Sequence, residues 1–458
     1  MPDSVLRRAW WPVVVLGTLL SAVLVGTAAP LEPRVERRDL GLWLQVTRPL
    51  DTGHPVAVVG LLLLLSALWL VGGLALRRGP ARGARWGLGL WAAPYVLGPP
   101  LFSRDIYAYL AQGQLVQRGL DPYRTPVLAL GRHATAVLAT DPEWRRTLTP
   151  YGPLGLRVEQ AVAALSGGHE LRALVLLRLV AVVAVGVTCW VVARLVRPGV
   201  LGVWLLLSPL VLVHEIGGAH LDAVVCALLA LSVLLLRRGA GLAAVALSVV
   251  AADVKASAGV LLVVLVLTVS PHLKAAGVAV LTQLAVCATY PRDPFGWLRA
   301  LRVAAGSLSP GTVLVRQVNT RLLHRSFPAQ ERLVVTTHQV LVVLGVVVAV
   351  ALLVTRHRRD APATAALLLL TTLVCGPALW GWYVGPALVL LLLSDRSYVR
   401  RLLLVVAVGA AFVGVPVHGR AGPIAALAVL ATVAAAGLVL LRAGGPAIRT
   451  WRRQPVPQ

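Results

Sequence analysis

Apolar residues in this chain fall in long runs, broken by short segments rich in arginine, glycine and proline. In hydrocarbon the backbone must satisfy its own hydrogen bonds, so apolar runs approaching ~20 residues read as spanning helices. On that reading about 14 spans are expected. They fall near residues 11–29, 56–76, 86–101, 172–193, 200–213, 222–236, 240–253, 257–270, 275–290, 333–355, 362–379, 383–394, 402–416 and 422–442. Several are short, and the pairs around Pro209, Lys255 and Gly381 are expected to be broken or tilted helices. Arg7 and Arg8 precede the first apolar run, which is long and followed by more spans, so it reads as a transmembrane helix rather than a cleavable signal peptide. The pattern gives an all-α polytopic membrane protein, with residues 1–458 as one integral-membrane domain. Two long loops, 102–170 and 291–332, and a tail, 443–458, stand outside the spans.

Charge then orients the chain. Arginine concentrates in the short loops at 77–85, 194–199, 237–238, 356–360 and 395–401 and in the tail, which places these and both termini on the cytoplasmic side of the plasma membrane. Both long loops then lie outside. Of the 18 carboxylates, Asp3, Asp360 and Asp395 fall inside and the rest on or near the outer side, so acid–base chemistry is expected at the outer face. The net charge of +25 is carried almost wholly by arginine that flanks spans or sits in the long loops. With no basic block or binding fold, it points away from nucleic acid and toward anionic lipid and phosphate. Cys189, Cys226, Cys287 and Cys375 lie inside apolar runs without paired spacing and read as core residues.

The stretch "FSRDIYAYLAQGQLVQRGLDPY", Phe102 to Tyr123, carries more polar chemistry than a connector needs. Ser103 is an expected N-cap of a helix running to about Gly119, with Asp105 in its first turn. Asp105 either complements the helix dipole, an effect of about 0.3–1 kcal/mol, or accepts a proton from a substrate hydroxyl. Tyr107, Tyr109 and Tyr123 suit a membrane–water interface, so the helix is expected along the outer surface. Further on, "TPYGPL" with Tyr151 is a rigid turn that sets the direction of the next helix or closes a pocket wall.

"VHEIGGAHLDA" brings His214, Glu215, His220 and Asp222 to one membrane boundary, as hydrogen-bond partners for a polar substrate, helix caps or part of a metal site. Asp253 and Lys255 lie between two apolar runs, where ionised groups are costly. They form an internal pair, or Lys255 meets a phosphate. In the second long loop Arg299, Arg302 and Trp297 form one face of an interfacial helix, suited to phosphate or to anionic lipid. Trp380, Trp382 and Tyr383 form either an aromatic belt or a sugar-stacking platform.

Together these stretches resemble the GT-C integral-membrane glycosyltransferases, and more narrowly the actinobacterial polyprenol-phosphomannose-dependent α-1,6-mannosyltransferases of the Mpt group. "SRDIYAYLAQGQLVQRGLDPY" carries most of the resemblance, with "TPYGPL" and "GGAHLDA" as later markers. The resemblance implies a polyprenyl-phosphate-mannose donor, a glycolipid acceptor bearing α-1,6-mannan, and transfer on the outer face. It places Asp105 on the family's catalytic carboxylate, and His220 and Asp222 on its His-Asn-Asp marker, with Leu221 in place of the Asn. Asp121, Tyr123, Tyr107, Tyr109, Tyr151, Lys255, Arg299, Arg302, Trp380 and Trp382 are the expected substrate-binding residues. A monophosphate donor is its own leaving group, so neither metal nor cofactor is expected. A lipid-linked sugar transporter, or the same scaffold using another polyprenyl-phosphate sugar such as arabinose, are the competing readings.

Overall fold

The computed structural model describes residues 10–28, 55–77, 83–142, 144–290, 292–303, 315, 318, 327–356, 360–376, 380–395 and 407–412. The expected spans at 402–416 (in large part) and 422–442, the tail, much of the second long loop and the N-terminal carboxylates lie outside them.

The helices, in order, are α1 (Trp10–Ala28), α2 (Pro55–Arg77), α3 (Ala84–Leu97), α4 (Asp105–Gln117), α5 (Thr135–Ala139), α6 (Pro153–Ser166), α7 (Glu170–Leu195) and α8 (Gly199–Leu206). A wide π turn (Val211–Gly217) follows. Then come α9 (Asp222–Arg237), α10 (Gly241–Val254), α11 (Gly259–Thr268), α12 (His272–Thr289), α13 (Trp297–Val303), α14 (Phe327–Arg356), α15 (Ala361–Cys375) and α16 (Gly385–Leu393). Among the described residues there is no strand, and one isolated antiparallel bridge joins Tyr151 to Lys255.

Five of these helices are long and apolar enough to cross a membrane, and α8 with the π turn, bent by 69°, makes a sixth. The remaining expected spans are refined rather than reproduced. α3, α9, α10, α11, α15 and α16 are 14, 16, 14, 10, 15 and 9 residues long, short of the ~20 that a bilayer core requires. They pack against other helices of the bundle, with Leu242, Val263, Leu267 and Val374 left exposed. α9 lies against α7, α10 and α16, and α15 against α11, α14 and α16. α14 is the opposite case, with none of its apolar window buried inside the protein.

Large aromatics hold the first helices to α8. The indole N–H of Trp69 donates to the Trp204 carbonyl at 2.8 Å, and that of Trp204 returns a bond to the Trp69 carbonyl at 2.7 Å. Two core layers result. One is the apolar interior of the spans. The other lies under the first long loop, where Ile106, Tyr107, Tyr109, Leu110, Val162, Ala163, Leu177 and Leu221 pack together. The loop is therefore a folded layer seated on the helix ends, with α4 against α6 at its centre.

Gly113 sets how closely those two helices approach. A Cβ there would stand 2.2 Å from the Glu159 carbonyl oxygen, whereas one at Gly60 would meet nothing within 4 Å. Gly113→Ala is expected to force α4 away from α6 and lower the unfolding temperature by several degrees, at the scale of about 1–3 kcal/mol for overpacking. Gly60→Ala is expected to leave it unchanged. Thermal unfolding of the two detergent-purified variants checks this, and equal midpoints would refute it.

Candidate active site

The chain reaches Asp105 through a constrained turn. α3 ends at Leu97, and Phe102 takes a left-handed conformation with φ 56°. Such a conformation is costly for a bulky residue and persists only where its surroundings enforce it. Asp105 is the first residue of α4, and the Ser103 hydroxyl accepts its backbone N–H at 3.1 Å. The cap position itself is Arg104, one residue later than expected, and the helix closes at Gln117 rather than Gly119. The expectation that Tyr107, Tyr109 and Tyr123 sit at a membrane–water interface is corrected. Ile106 to Gly113 are all buried, because α6 and the rest of the loop cover the helix. Tyr107 is buried in the loop's own core rather than placed at an interface.

His220 arrives by a similar turn. The π segment widens the helix after α8, and Ala219 takes φ 51° immediately before the histidine. His220 Nδ1 lies 3.3 Å from Asp105 Oδ2 and 3.4 Å from the Tyr109 hydroxyl. That hydroxyl is 3.1 Å from the hydroxyl of Tyr151. Burial, aided by neighbouring carboxylates such as Asp105, pushes both phenols well above their ordinary range, so they stay neutral. The His220 ring stacks on Trp382 with centroids 3.9 Å apart, and Trp382 stacks on Trp380 at 5.2 Å. Trp382 is buried by these contacts, so it is no part of a lipid-facing belt.

The TPYG turn completes one wall. Tyr151 bridges to Lys255, and Gly152 N–H donates to the Val254 carbonyl at 3.3 Å. A Cβ on Gly152 would sit 2.3 Å from the Asp253 carbonyl oxygen, so only glycine allows this approach. Here the membrane helix breaks: α10 stops at Val254, Lys255 is extended, and α11 begins at Gly259. The expected internal Asp253–Lys255 pair is not formed. Lys255 Nζ donates to Asp222 Oδ2 at 2.6 Å and lies 4.0 Å from the Tyr383 ring centroid. Asp253 instead accepts from the Gln283 amide at 3.0 Å. The extended backbone at Lys255 turns the two neighbouring side chains to different partners.

A second polar group lies apart from this one. Asp121 Oδ1 accepts the Tyr123 N–H at 3.0 Å and the Tyr290 hydroxyl at 3.1 Å. Asp293 pairs with Arg299 and, at 3.3 Å, with Arg124. Hydrogen bonding from Arg299, joined by Arg124, holds the Asp293 carboxyl below its ordinary range. These contacts clamp the second long loop onto the first. Asp121 and Arg299 thus have protein partners in this arrangement, while the Arg299 side chain stays half exposed. The Arg302 side chain lies outside the described residues. Tyr123 joins the groups, its hydroxyl donating to the Tyr151 carbonyl at 3.0 Å.

His214 and Glu215 line the inner side of the cluster, His214 with its ring 5.9 Å from that of Trp382. His214 Nε2 lies 3.3 Å from the Ala411 carbonyl, and Glu215 packs against Gly385. Among the described residues no three His, Cys, Asp or Glu side chains are arranged to hold a metal ion.

Sequence reasoning gave Glu159 no role and did not connect Tyr383 with Lys255. Tyr383 was signalled by its place beside Trp382, but only packing aims it at Lys255. Glu159 is fully buried beside Gln112, whose amide nitrogen, turned toward it, donates to the carboxyl at 2.9 and 3.2 Å. Burial, reinforced by Asp105, raises its carboxyl well above the ordinary range. The folded state therefore binds this proton more tightly than the unfolded state. The associated stability is complete below the unfolded value, near 4.5, and declines as pH rises through the folded one. Glu159→Gln is expected to unfold at a higher temperature than the parent at pH 7–8, with the difference closing toward pH 4.5. Melting curves across that range check it, and a gap independent of pH would refute it.

The described structure is an all-α, multi-pass membrane protein whose polar cluster is built where a folded loop meets a broken helix. Residues 13–271, more than half of the chain, match the N-terminal domain of the alpha-(1->6)-mannopyranosyltransferases. The chain belongs to this MptA_B family. It is 34% identical over 240 residues to alpha-(1->6)-mannopyranosyltransferase A of Mycobacterium tuberculosis, covering 48% of this chain and 46% of that protein. It is 38% identical over 146 residues to a probable alpha-(1->6)-mannopyranosyltransferase of Mycolicibacterium smegmatis, covering 31% and 26%. With alpha-(1->6)-mannopyranosyltransferase B of Corynebacterium glutamicum it shares 28% over 262 residues, covering 52% and 42%. The chain thus aligns with less than half the length of each of these relatives. No solved structure matches it.

Proposed function

We propose that this protein transfers mannose from polyprenyl-phosphate-mannose to an α-1,6-mannan glycolipid at the outer face of the plasma membrane, with Asp105 as the general base. The observation that carries the reading is the geometry around Asp105. It heads α4, keeps 14% of its side chain exposed, and is faced by His220, whereas the neighbouring Asp222 has none exposed. A base must reach the acceptor hydroxyl, and Asp105 is the carboxylate of the cluster with an open side.

In this reading Asp105 takes the proton of the acceptor hydroxyl as its oxygen bonds to the anomeric carbon. The bond from that carbon to the phosphate oxygen breaks, and the phosphate leaves with the electron pair. His220 orients the carboxylate. Lys255, whose side chain is 11% exposed beside Asp222, stabilises charge growing on the phosphate, an electrostatic effect set up in advance of the reaction. Trp380, the half-buried outer member of the His220–Trp382–Trp380 stack, offers a ring face for the sugar, and Trp382 backs it. One base facing the acceptor suits a single inverting displacement through an oxocarbenium-like state. The outer face has no nucleotide-sugar supply, so a lipid phosphate must carry the sugar. No metal takes part.

A second reading, a lipid-linked sugar transporter, draws on the broken helix at Lys255, since transporters place charges at such interruptions. Proteoliposomes loaded with radiolabelled polyprenyl-phosphate-mannose and a short α-1,6-mannoside separate the two. The proposal expects an elongated labelled mannoside, formed equally with EDTA present. Movement of the labelled lipid between leaflets with no elongated product would favour transport and overturn it.

A further inference from the structure

We propose that Arg178 is the positioning residue that sets the spacing of Asp105 and His220. It lies within the apolar helix α7, its side chain 5% exposed, and it forms no salt bridge among the described residues. A buried charge without a counter-ion is costly in a membrane span and calls for compensating bonds. Arg178 finds them in backbone carbonyls alone. One guanidinium nitrogen donates to the Tyr95 carbonyl, to that of Val96 at 3.2 Å and to that of Gly98 at 3.2 Å. The other donates to the carbonyls of Pro99 at 3.4 Å and Gly217 at 2.9 Å.

These carbonyls come from two segments far apart in the chain. Tyr95 to Pro99 form the end of α3 and the connector running through Phe102 to Asp105. Gly217 ends the π turn and precedes Ala219 and His220. The same Gly217 carbonyl also accepts the Leu101 N–H at 3.1 Å. Arg178 thus gathers both connectors just upstream of the two left-handed residues, Phe102 and Ala219, that deliver the carboxylate and the imidazole. A planar fork of five donors suits this task, and a lysine ammonium with three donors on a flexible stem does not. The role rests on the proposed transferase only for its kinetic consequence; the tie between the connectors stands apart from it.

The test compares the full-length protein with Arg178→Lys and Arg178→Met in nanodiscs. Hydrogen exchange is expected to speed up at least tenfold at residues 98–105 and 217–221 in both variants, while α7 and α9 keep their protection. In the transfer assay kcat is expected to fall 10- to 100-fold in Arg178→Lys with the donor KM within twofold, and further in Arg178→Met. Unchanged exchange at both connectors would overturn the proposal, as would faster exchange spread evenly through the bundle. If wild type transfers no mannose, the proposed function fails, and the exchange pattern still decides the positioning role.

Discussion

Asp105→Asn is expected to lower mannose transfer by about 10²–10⁴-fold, the usual contribution of a positioned general base. The amide keeps the size of the carboxylate and its approach to His220, 3.3 Å away in the parent protein. It also leaves the Ser103 hydroxyl bond to the backbone N–H of residue 105 intact. Folding and donor binding should therefore change little, and the loss should fall on kcat. Rates measured at equal protein level, with the unfolding midpoint recorded alongside, check both halves. Transfer equal to the parent's would remove Asp105 from the role of base. A comparable loss of folded protein would make its contribution structural.

The Lys255–Asp222 pair should give the largest stability effect. Lys255→Met leaves the Asp222 carboxylate, with no exposed side-chain surface, without its 2.6 Å partner. Breaking one side of a buried ion pair costs about 3–5 kcal/mol, because the remaining charge stays desolvated. Adding Asp222→Asn removes that stranded charge, so the double variant is expected to recover most of the stability. It should not recover transfer, since no cation then faces the phosphate. Thermal unfolding and transfer assays on the single and double variants test this. A double variant as inactive and as unstable as the single one would mean that Lys255 serves packing through Tyr151 and Tyr383 rather than charge.

The division of the chain into apolar runs was legible, because hydrophobic runs reflect the solvent around a helix. So was the polar helix headed by Asp105, and so were His220 with Asp222 and the TPYG turn. What escaped was pairing. Asp253 and Lys255 sit two residues apart, yet the chosen partner is Asp222, 33 residues away, because the helix breaks between them. Run length cannot reveal such a break. Trp382 reads as a boundary aromatic until packing brings His220 onto its face. Arg178 was hidden inside an apolar run, since its partners are main-chain carbonyls that leave no mark in side-chain pattern. The clamp of Asp121 and Asp293 depended on two loops meeting, which neither loop's sequence announces.

The short helix α10 has a consequence for traffic within the bilayer. Its 14 residues rise about 21 Å, roughly two-thirds of a hydrocarbon layer of about 30 Å. A helix of that length starting at one membrane face comes to its end still below the opposite headgroups. Lys255 follows that end directly. A molecule with a long hydrocarbon chain can bring its polar end to such a place by drifting sideways in its own leaflet, never leaving the oil. A water-soluble sugar would have to descend. A lipid-borne visitor and a water-soluble one would thus approach Lys255 from different directions.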